Sequence, residues 1–167
     1  HRLPFADGNQ GRAVVADLIA HGDEAVVLSC TASRAQSSLP GIAGAYTWAP
    51  LEGPPPPEAL TGADAVVHLL GESLLGRWTN RKKQAIYDTR AVSTRHLVAA
   101  LQAQTPRPAT LVNASAMGYY GSRGDEELAE ASPAGHGFLA DLCGDWEAEA
   151  VKAERLGMRV VRVRTAN

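Results

Sequence analysis

Apolar positions along the chain change period repeatedly. From Gly11 to His21 they follow helical spacing through Ala13, Val14, Leu18 and Ile19, and Gly22 follows as a stop. Ala25 to Leu28 is a short continuous apolar run, the pattern of a strand buried on both faces. Ser29 to Pro40 is polar and too irregular to assign. Ala45 to Trp48 reads as a further strand. The proline run Pro54–Pro57 leads into a short helix or turn near Glu58–Thr61. Ala65 to Leu70 reads as a strand. Asn80 to Ala103 has helical composition, with Ile86, Val92, Leu97, Val98 and Leu101 as its apolar positions. Thr110 to Val112 is a strand, Phe138 to Leu156 a helix closed by Gly157, and Arg159 to Val163 a last strand of alternating Arg and Val. Strands alternating with helices predict parallel βαβ units in an α/β fold. The expected architecture is a doubly wound sheet with helices on both faces.

Composition narrows the setting. The 167 residues argue for one domain, with no internal repeat. The 16 Lys and Arg against 18 Asp and Glu give a net charge of -2. That balance speaks against a nucleic-acid binder read from charge, and against a polybasic membrane anchor. The 45% hydrophobic content is enough for a core, and no apolar run approaches the ~20 residues of a membrane helix. Cys30 and Cys143 form no disulfide framework, and no Cys/His spacing suggests a metal site. His1-Arg2-Leu3-Pro4 lacks the apolar centre of a signal peptide. A cytoplasmic domain is therefore expected.

Ligands of such sheets bind beyond the carboxyl ends of the strands. The first strand-to-helix turn reads Phe5-Ala6-Asp7-Gly8-Asn9-Gln10-Gly11. Gly8 and Gly11 have the spacing of the last two glycines of a phosphate-cradling G-x-x-G-x-x-G loop, with Phe5 in the place of the first. The same spacing also suits an ordinary helix entry. The strand before it is expected to be defective, because Pro4 has no N–H for a ladder.

From Gly11 onward the sequence resembles the atypical, extended short-chain dehydrogenase/reductases, in the sugar-nucleotide epimerase-like branch. Some members of that branch carry an old cell-division-inhibitor label. The match rests on Val67-His68-Leu69-Leu70-Gly71-Glu72-Ser73, Arg77-Trp78-Thr79 and Ser115-Ala116-Met117-Gly118-Tyr119-Tyr120-Gly121. It continues through Cys143, Trp146-Glu147 and Val161-Arg162-Val163-Arg164-Thr165. The resemblance implies a Rossmann-type, three-layer αβα domain over residues 1–167 that binds NADP or NAD, NADP being favoured. Gly8 and Gly11 would line the pyrophosphate. Ser29, Cys30 and Arg34 would lie near the adenosine ribose, with Arg34 available for a 2'-phosphate. His68, Leu70 and Gly71 would end the fourth strand beside the cofactor. His68 also fits a hydrogen-bonded strand-end residue. Phe5 and Pro4 would weaken the binding.

The family's chemistry uses a Ser, and a Tyr and a Lys four residues apart. Ser115 fits the Ser position. The Tyr and Lys positions hold Leu139 and Cys143, so Tyr119 and Tyr120 are the substitute phenols. Their alternative reading is a loop anchor and a packing residue. Cys143 reads as packing, Trp78 as packing or loop closure, Lys82 and Lys83 as a solvated face, and Asp125–Glu130 as an acidic loop facing water. Extended members continue past this chain's last strand into a substrate subdomain. Together with the initial His1, this suggests a fragment carrying the cofactor half. The implied function is the NAD(P)-binding domain of an epimerase or oxidoreductase acting on a small carbonyl or sugar-like substrate. The alternatives are a non-catalytic nucleotide-binding module, or a truncated fragment without independent activity.

Overall fold

The computed structural model describes residues 2–5, as backbone, and 9–166. Strands β1 (Arg2–Phe5), β2 (Glu24–Ser29) and β3 (Gly44–Thr47) form one parallel sheet in the order β1-β2-β3. Strands β4 (Ala65–His68), β5 (Thr110–Ala116) and β6 (Arg159–Thr165) form a second, in the order β4-β5-β6. β1 lies beside β4, so the strands run 3-2-1-4-5-6. That is the doubly wound order whose reversal point lies between β1 and β4.

The defect expected in the first strand is milder than the sequence suggests. Arg2 to Phe5 pair in register with Glu24 to Val27. A parallel ladder is made by backbone groups, and β2, buried from Ala25 to Ser29, supplies a regular partner. Between β1 and β4 no ladder forms among the described residues, and Pro4 has no N–H to contribute there.

Helices α1 (Asn9–Ala20), α2 (Ala32–Ser38), α3 (Pro57–Leu60), α4 (Asn80–Tyr87), α5 (Ser93–Gln102) and α6 (Phe138–Val151) cover both faces. The β2 side chains show why. Ala25 and Val27 pack with Val15 of α1 and Ala35 of α2 on one side. Leu28 packs with Leu97 and Leu101 of α5 and Ala150 of α6 on the other. This continuous burial on two faces is what an apolar, non-alternating strand demands.

Three segments differ from the sequence pattern. Helix α2 fills the stretch that pattern left unassigned, because it buries little beyond Ala35 and so carries no apolar stripe. β5 runs four residues past Val112, and its buried positions alternate through Leu111, Asn113 and Ser115. The polar residues on that face hide the continuation. The helix predicted over Asn80–Ala103 is continuous but switches to π-helical geometry at Asp88–Val92, a local widening often found at functional sites. Gly157 closes the last helix in the left-handed conformation, φ 81°. No helix among the described residues is long and apolar enough to cross a membrane.

Candidate functional site

The carboxyl ends of β4 and β5 open onto a cleft of about 160 Å³. Gln10 in the first turn of α1, the Leu69–Gly71 turn after β4 and Ser115 on β5 line it. Leu139, Cys143 and Trp146 of α6 and Arg90 of the π-helical turn complete the wall. Gly11 is buried one residue after Gln10, and α1 carries no acidic side chain in its first turn. Among the described residues, no acid therefore stands in the first turn at the positive end of this 12-residue helix. These features fit a dinucleotide, whose pyrophosphate would sit at that helix end. Gly8 lies outside the described residues.

The turn after β4 is held by Glu72. Its N–H donates to Thr89 Oγ1 at 2.9 Å, its carbonyl accepts from Arg90 Nη1 at 3.0 Å, and its carboxylate pairs with Lys82 Nζ at 2.6 Å. Lys82 thus braces this turn. Lys83 lies 5.5 Å over the Phe138 ring, and Trp78 meets the same ring edge-on at 5.8 Å while donating to the Leu74 carbonyl. Gly71 is required by Arg90: a Cβ there would stand 2.8 Å from the guanidinium carbon. Gly71→Ala is expected to displace Arg90 and to narrow the cleft without unfolding the chain. A melting temperature within a few degrees of wild type, with a crystallographic shift of Arg90, would check this.

His68 is 3% exposed. Its Nε2 lies 3.1 Å from Ser93 Oγ, and Ser93 donates its one hydroxyl hydrogen to the Thr89 carbonyl at 2.6 Å. The ring must therefore be the Nε2–H tautomer, donating to Ser93. Burial pushes its pKa down to about 4, so it is neutral near pH 7. Trp48 lies against it with ring centroids 6.1 Å apart. The geometry is that of a satisfied strand-end histidine.

Ser115 is buried and donates to Glu147 Oε1 at 2.6 Å. Glu147, 3% exposed on α6, also takes two hydrogen bonds from Arg164, at 2.7 and 2.8 Å, and one from Arg162 at 3.4 Å. Burial pushes its carboxyl up. The bonds from Arg164 and Ser115 outweigh that and hold it below the usual carboxylate range. Arg164 is raised further above its ordinary value by Glu147.

Tyr119 and Tyr120 belong to this cluster and are not among the described residues that line the cleft. Arg164 stacks 3.6 Å from the centre of the Tyr119 ring and donates to Tyr120 Oη at 2.7 Å. Tyr120 Oη in turn donates to the Glu130 carbonyl at 3.3 Å. The physical reason is the short turn Met117–Tyr120 after β5, which carries both rings away from the cleft wall toward β6. Leu139 and Cys143 stand on the wall instead. Burial pushes the Cys143 thiol up, leaving it protonated.

At the far end of the sheet, Ser29 is buried and accepts from the Thr31 N–H at 3.2 Å. Cys30 is exposed, and Arg34 is exposed on α2. Leu70 and Gly71 lie in the cleft and Ser115 faces them, so the structure brings these three together. The sequence pattern assigns no place at the site to Arg90, which lines the cleft, or to Glu147 and Arg164, which hold Ser115 from behind. Glu147 is one of two buried acids on α6, with Glu149, and lies one turn beyond Cys143. Arg90 had no such signal, because the π-helical turn that aims it is not written in the hydrophobic period.

Comparison with known proteins agrees with this architecture. The model of the NAD dependent epimerase/dehydratase family matches residues 6–167. An epimerase family protein of Mycobacterium bovis is 45% identical over 119 residues, covering 71% of this chain and 39% of its own length. A nucleoside-diphosphate sugar epimerase structure from Corynebacterium glutamicum superimposes with TM-score 0.78 at 34% identity, over 98% of this chain and 33% of that one. The human epimerase family protein SDR39U1 (isoform 2), solved with NADPH, gives TM-score 0.78 at 28% identity, over 98% and 53%. The chain thus spans about two fifths of the length of the curated relative it matches. In fold, in the order of its strands and in sequence, the chain belongs to the NAD dependent epimerase/dehydratase family.

Proposed function

We propose that this chain is an NADP(H)-binding Rossmann unit of an epimerase or oxidoreductase that acts on a small hydroxyl- or carbonyl-bearing substrate. The observation that carries the reading is the cleft where the start of α1, through Gln10, meets Gly71 and Ser115 at the strand ends. The NADPH held by the human relative supports the choice of cofactor. So does the end of β2, where Ser29 and Cys30 stand in place of the acid that would hold an unphosphorylated ribose. Arg34 would take the 2'-phosphate.

A bound nicotinamide supplies hydride chemistry. The chain's own part is to bind, to orient and to exclude water. Ser115 has one hydroxyl hydrogen, and Glu147 takes it. Ser115 therefore offers lone pairs to the cleft and orients a substrate hydroxyl by accepting from it. Leu139, Leu142 and Trp146 supply the dry wall. Tyr119 and Tyr120 hold the far side of Glu147 in place through Arg164.

Titration followed by nicotinamide fluorescence tests this. NADPH is expected to bind more tightly than NADH, and Arg34→Ser to cut that preference about 10-fold. No binding of either nucleotide at millimolar concentration contradicts the reading. A non-catalytic nucleotide-binding module is the second reading, favoured by Leu139 and Cys143 in place of the Tyr/Lys pair. Turnover of an alcohol panel with NADP+ that falls in Ser115→Ala separates the two; its absence in wild type favours the module.

A further inference from the structure

An alcohol oxygen and a ketone oxygen differ in one respect that a hydrogen-bonding group can read: the alcohol carries a hydrogen. Both oxygens accept, so a donor such as the Arg90 guanidinium on the cleft wall attracts either. Only an acceptor tells them apart. The direction in which Ser115 points its one hydroxyl hydrogen therefore matters to the choice of ligand, and Ser115 does not set that direction itself.

Glu147 sets it. The residue is 3% exposed, and bonds from Arg164 and Ser115 hold its carboxylate ionised against burial. An ionised carboxylate has no hydrogen to give. The 2.6 Å contact from Ser115 Oγ to Glu147 Oε1 therefore uses the hydrogen of Ser115 and leaves only lone pairs for the cleft. The Cys143 thiol also meets Ser115, but it is a weak donor and takes at most one of the two lone pairs.

The carboxylate cannot turn away. Arg164 grips both of its oxygens, with Nε on Oε1 at 2.7 Å and Nη2 on Oε2 at 2.8 Å. Arg164 is fixed in turn. It stacks 3.6 Å from the centre of the Tyr119 ring, and its Nη1 donates to Tyr120 Oη and to the Glu130 carbonyl, at 2.7 and 3.0 Å. Among the described residues, Glu147, Arg164 and the two tyrosines stand behind the cleft wall, and Ser115 lines it. The setting is thus built into the fold and does not wait for a ligand.

We propose that Glu147 is a specificity-determining residue: by drawing the Ser115 hydrogen away from the cleft, it makes the cleft select an alcohol over the corresponding ketone. The selection rests on the proposed reading of Ser115 as the group that meets the ligand; the oxidation level of that ligand and the residue that chooses it are new. Exchanging the carboxylate for an amide removes the choice. In Glu147→Gln the amide oxygen is drawn to the place of Oε2, where Arg164 Nη2 and Arg162 Nη1 both donate. The amide NH2 then takes the place of Oε1, losing the bond from Arg164 Nε, and donates to Ser115. The Ser115 hydrogen is freed toward the cleft, where it bonds either oxygen.

The test titrates 1-methylcyclopentanol and cyclohexanone, which have equal carbon counts, into the full chain, free and saturated with NADP+. Saturation-transfer NMR is the readout. Neither probe reacts: the tertiary alcohol has no hydrogen on its carbinol carbon to transfer, and an oxidised cofactor cannot reduce a ketone. Wild type is expected to bind the alcohol about 3- to 10-fold more tightly than the ketone. Glu147→Gln brings that ratio close to one by gaining ketone affinity, and Ser115→Ala does so by losing alcohol affinity. Glu149→Gln is the control and keeps the wild-type ratio, since Glu149, the other buried acid of α6, pairs with Arg95 and Lys152. A merely structural role for Glu147 weakens both probes together in Glu147→Gln and leaves the ratio unchanged, which overturns the proposal. A wild type that binds the ketone as tightly as the alcohol, or neither probe saturably, overturns it too. If Glu147→Gln does not fold, Ser115→Ala decides, and an unchanged ratio there contradicts the assignment. A separate NADPH titration keeps the two readings apart. Alcohol preference without NADPH binding sinks the dinucleotide reading alone, and NADPH binding without alcohol preference sinks the role of Glu147 alone.

Discussion

Replacing Glu147 by alanine is expected to cost about 3–5 kcal/mol of folding stability, the range for breaking a buried, hydrogen-bonded ion pair. Its side chain is 4% exposed and that of Arg164 is 15% exposed, so solvent replaces little of the lost pairing. Removal strands the Arg164 charge between two tyrosine rings and leaves the Ser115 hydroxyl without its acceptor. The change also loosens the return loop that Arg164 ties down through the Glu130 carbonyl at 3.0 Å. Urea unfolding at pH 7.5 measures this directly, and a loss under about 1 kcal/mol would place the cluster among weak surface pairs instead. The folded-state pKa of Glu147 lies below its unfolded value. Its contribution is therefore present above the ordinary carboxylate range and is lost as the pH falls through the depressed value.

Acid is expected to weaken the fold earlier, through His68. The buried imidazole has a folded pKa of about 4 against an ordinary 6.5. The unfolded chain binds the proton more readily, so stability rises with pH across that interval. The full contribution is present above about 6.5 and is lost progressively down to about 4, amounting to about 3 kcal/mol. The physical cause is burial against Trp48 and Ser93, where no carboxylate compensates an imidazolium among the described contacts. Urea midpoints at pH 7.5, 6, 5 and 4 should fall along this window, and His68→Phe should flatten the decline. An unchanged slope in that variant would assign the acid sensitivity to other groups.

Elements with an apolar period are legible in the sequence, and contacts made only by packing are not. Continuous apolar runs made β2 legible, and glycine stops marked the ends of α1 and of the last helix. The strand read over Ala65–Leu70 is legible but ends at His68, and Leu69–Gly71 form the turn after it. Helix α2 was not, because one buried alanine leaves no period to read. Ser115 lines the cleft, and the sequence carries no sign of its partner. Glu147 is joined to Arg164 across 17 residues, and only the packing of α6 against β6 brings them together. Distance along the chain from Ser115 leaves Tyr119 and Tyr120 open between the cleft and a packing role, and the turn after β5 sets them against Arg164. Arg90 depends on a change of helical pitch that hydrophobic spacing does not encode.

The central claim is that the cleft at the strand ends holds the dinucleotide. Hydrogen exchange with and without saturating NADPH tests it most directly. The account predicts slowed exchange in the first turn of α1, at Leu69–Glu72 and at Ala114–Ala116, with little change at Asp64 or Arg107 on the opposite edge of the sheet. Protection confined to other segments, or none at saturating NADPH, would contradict it.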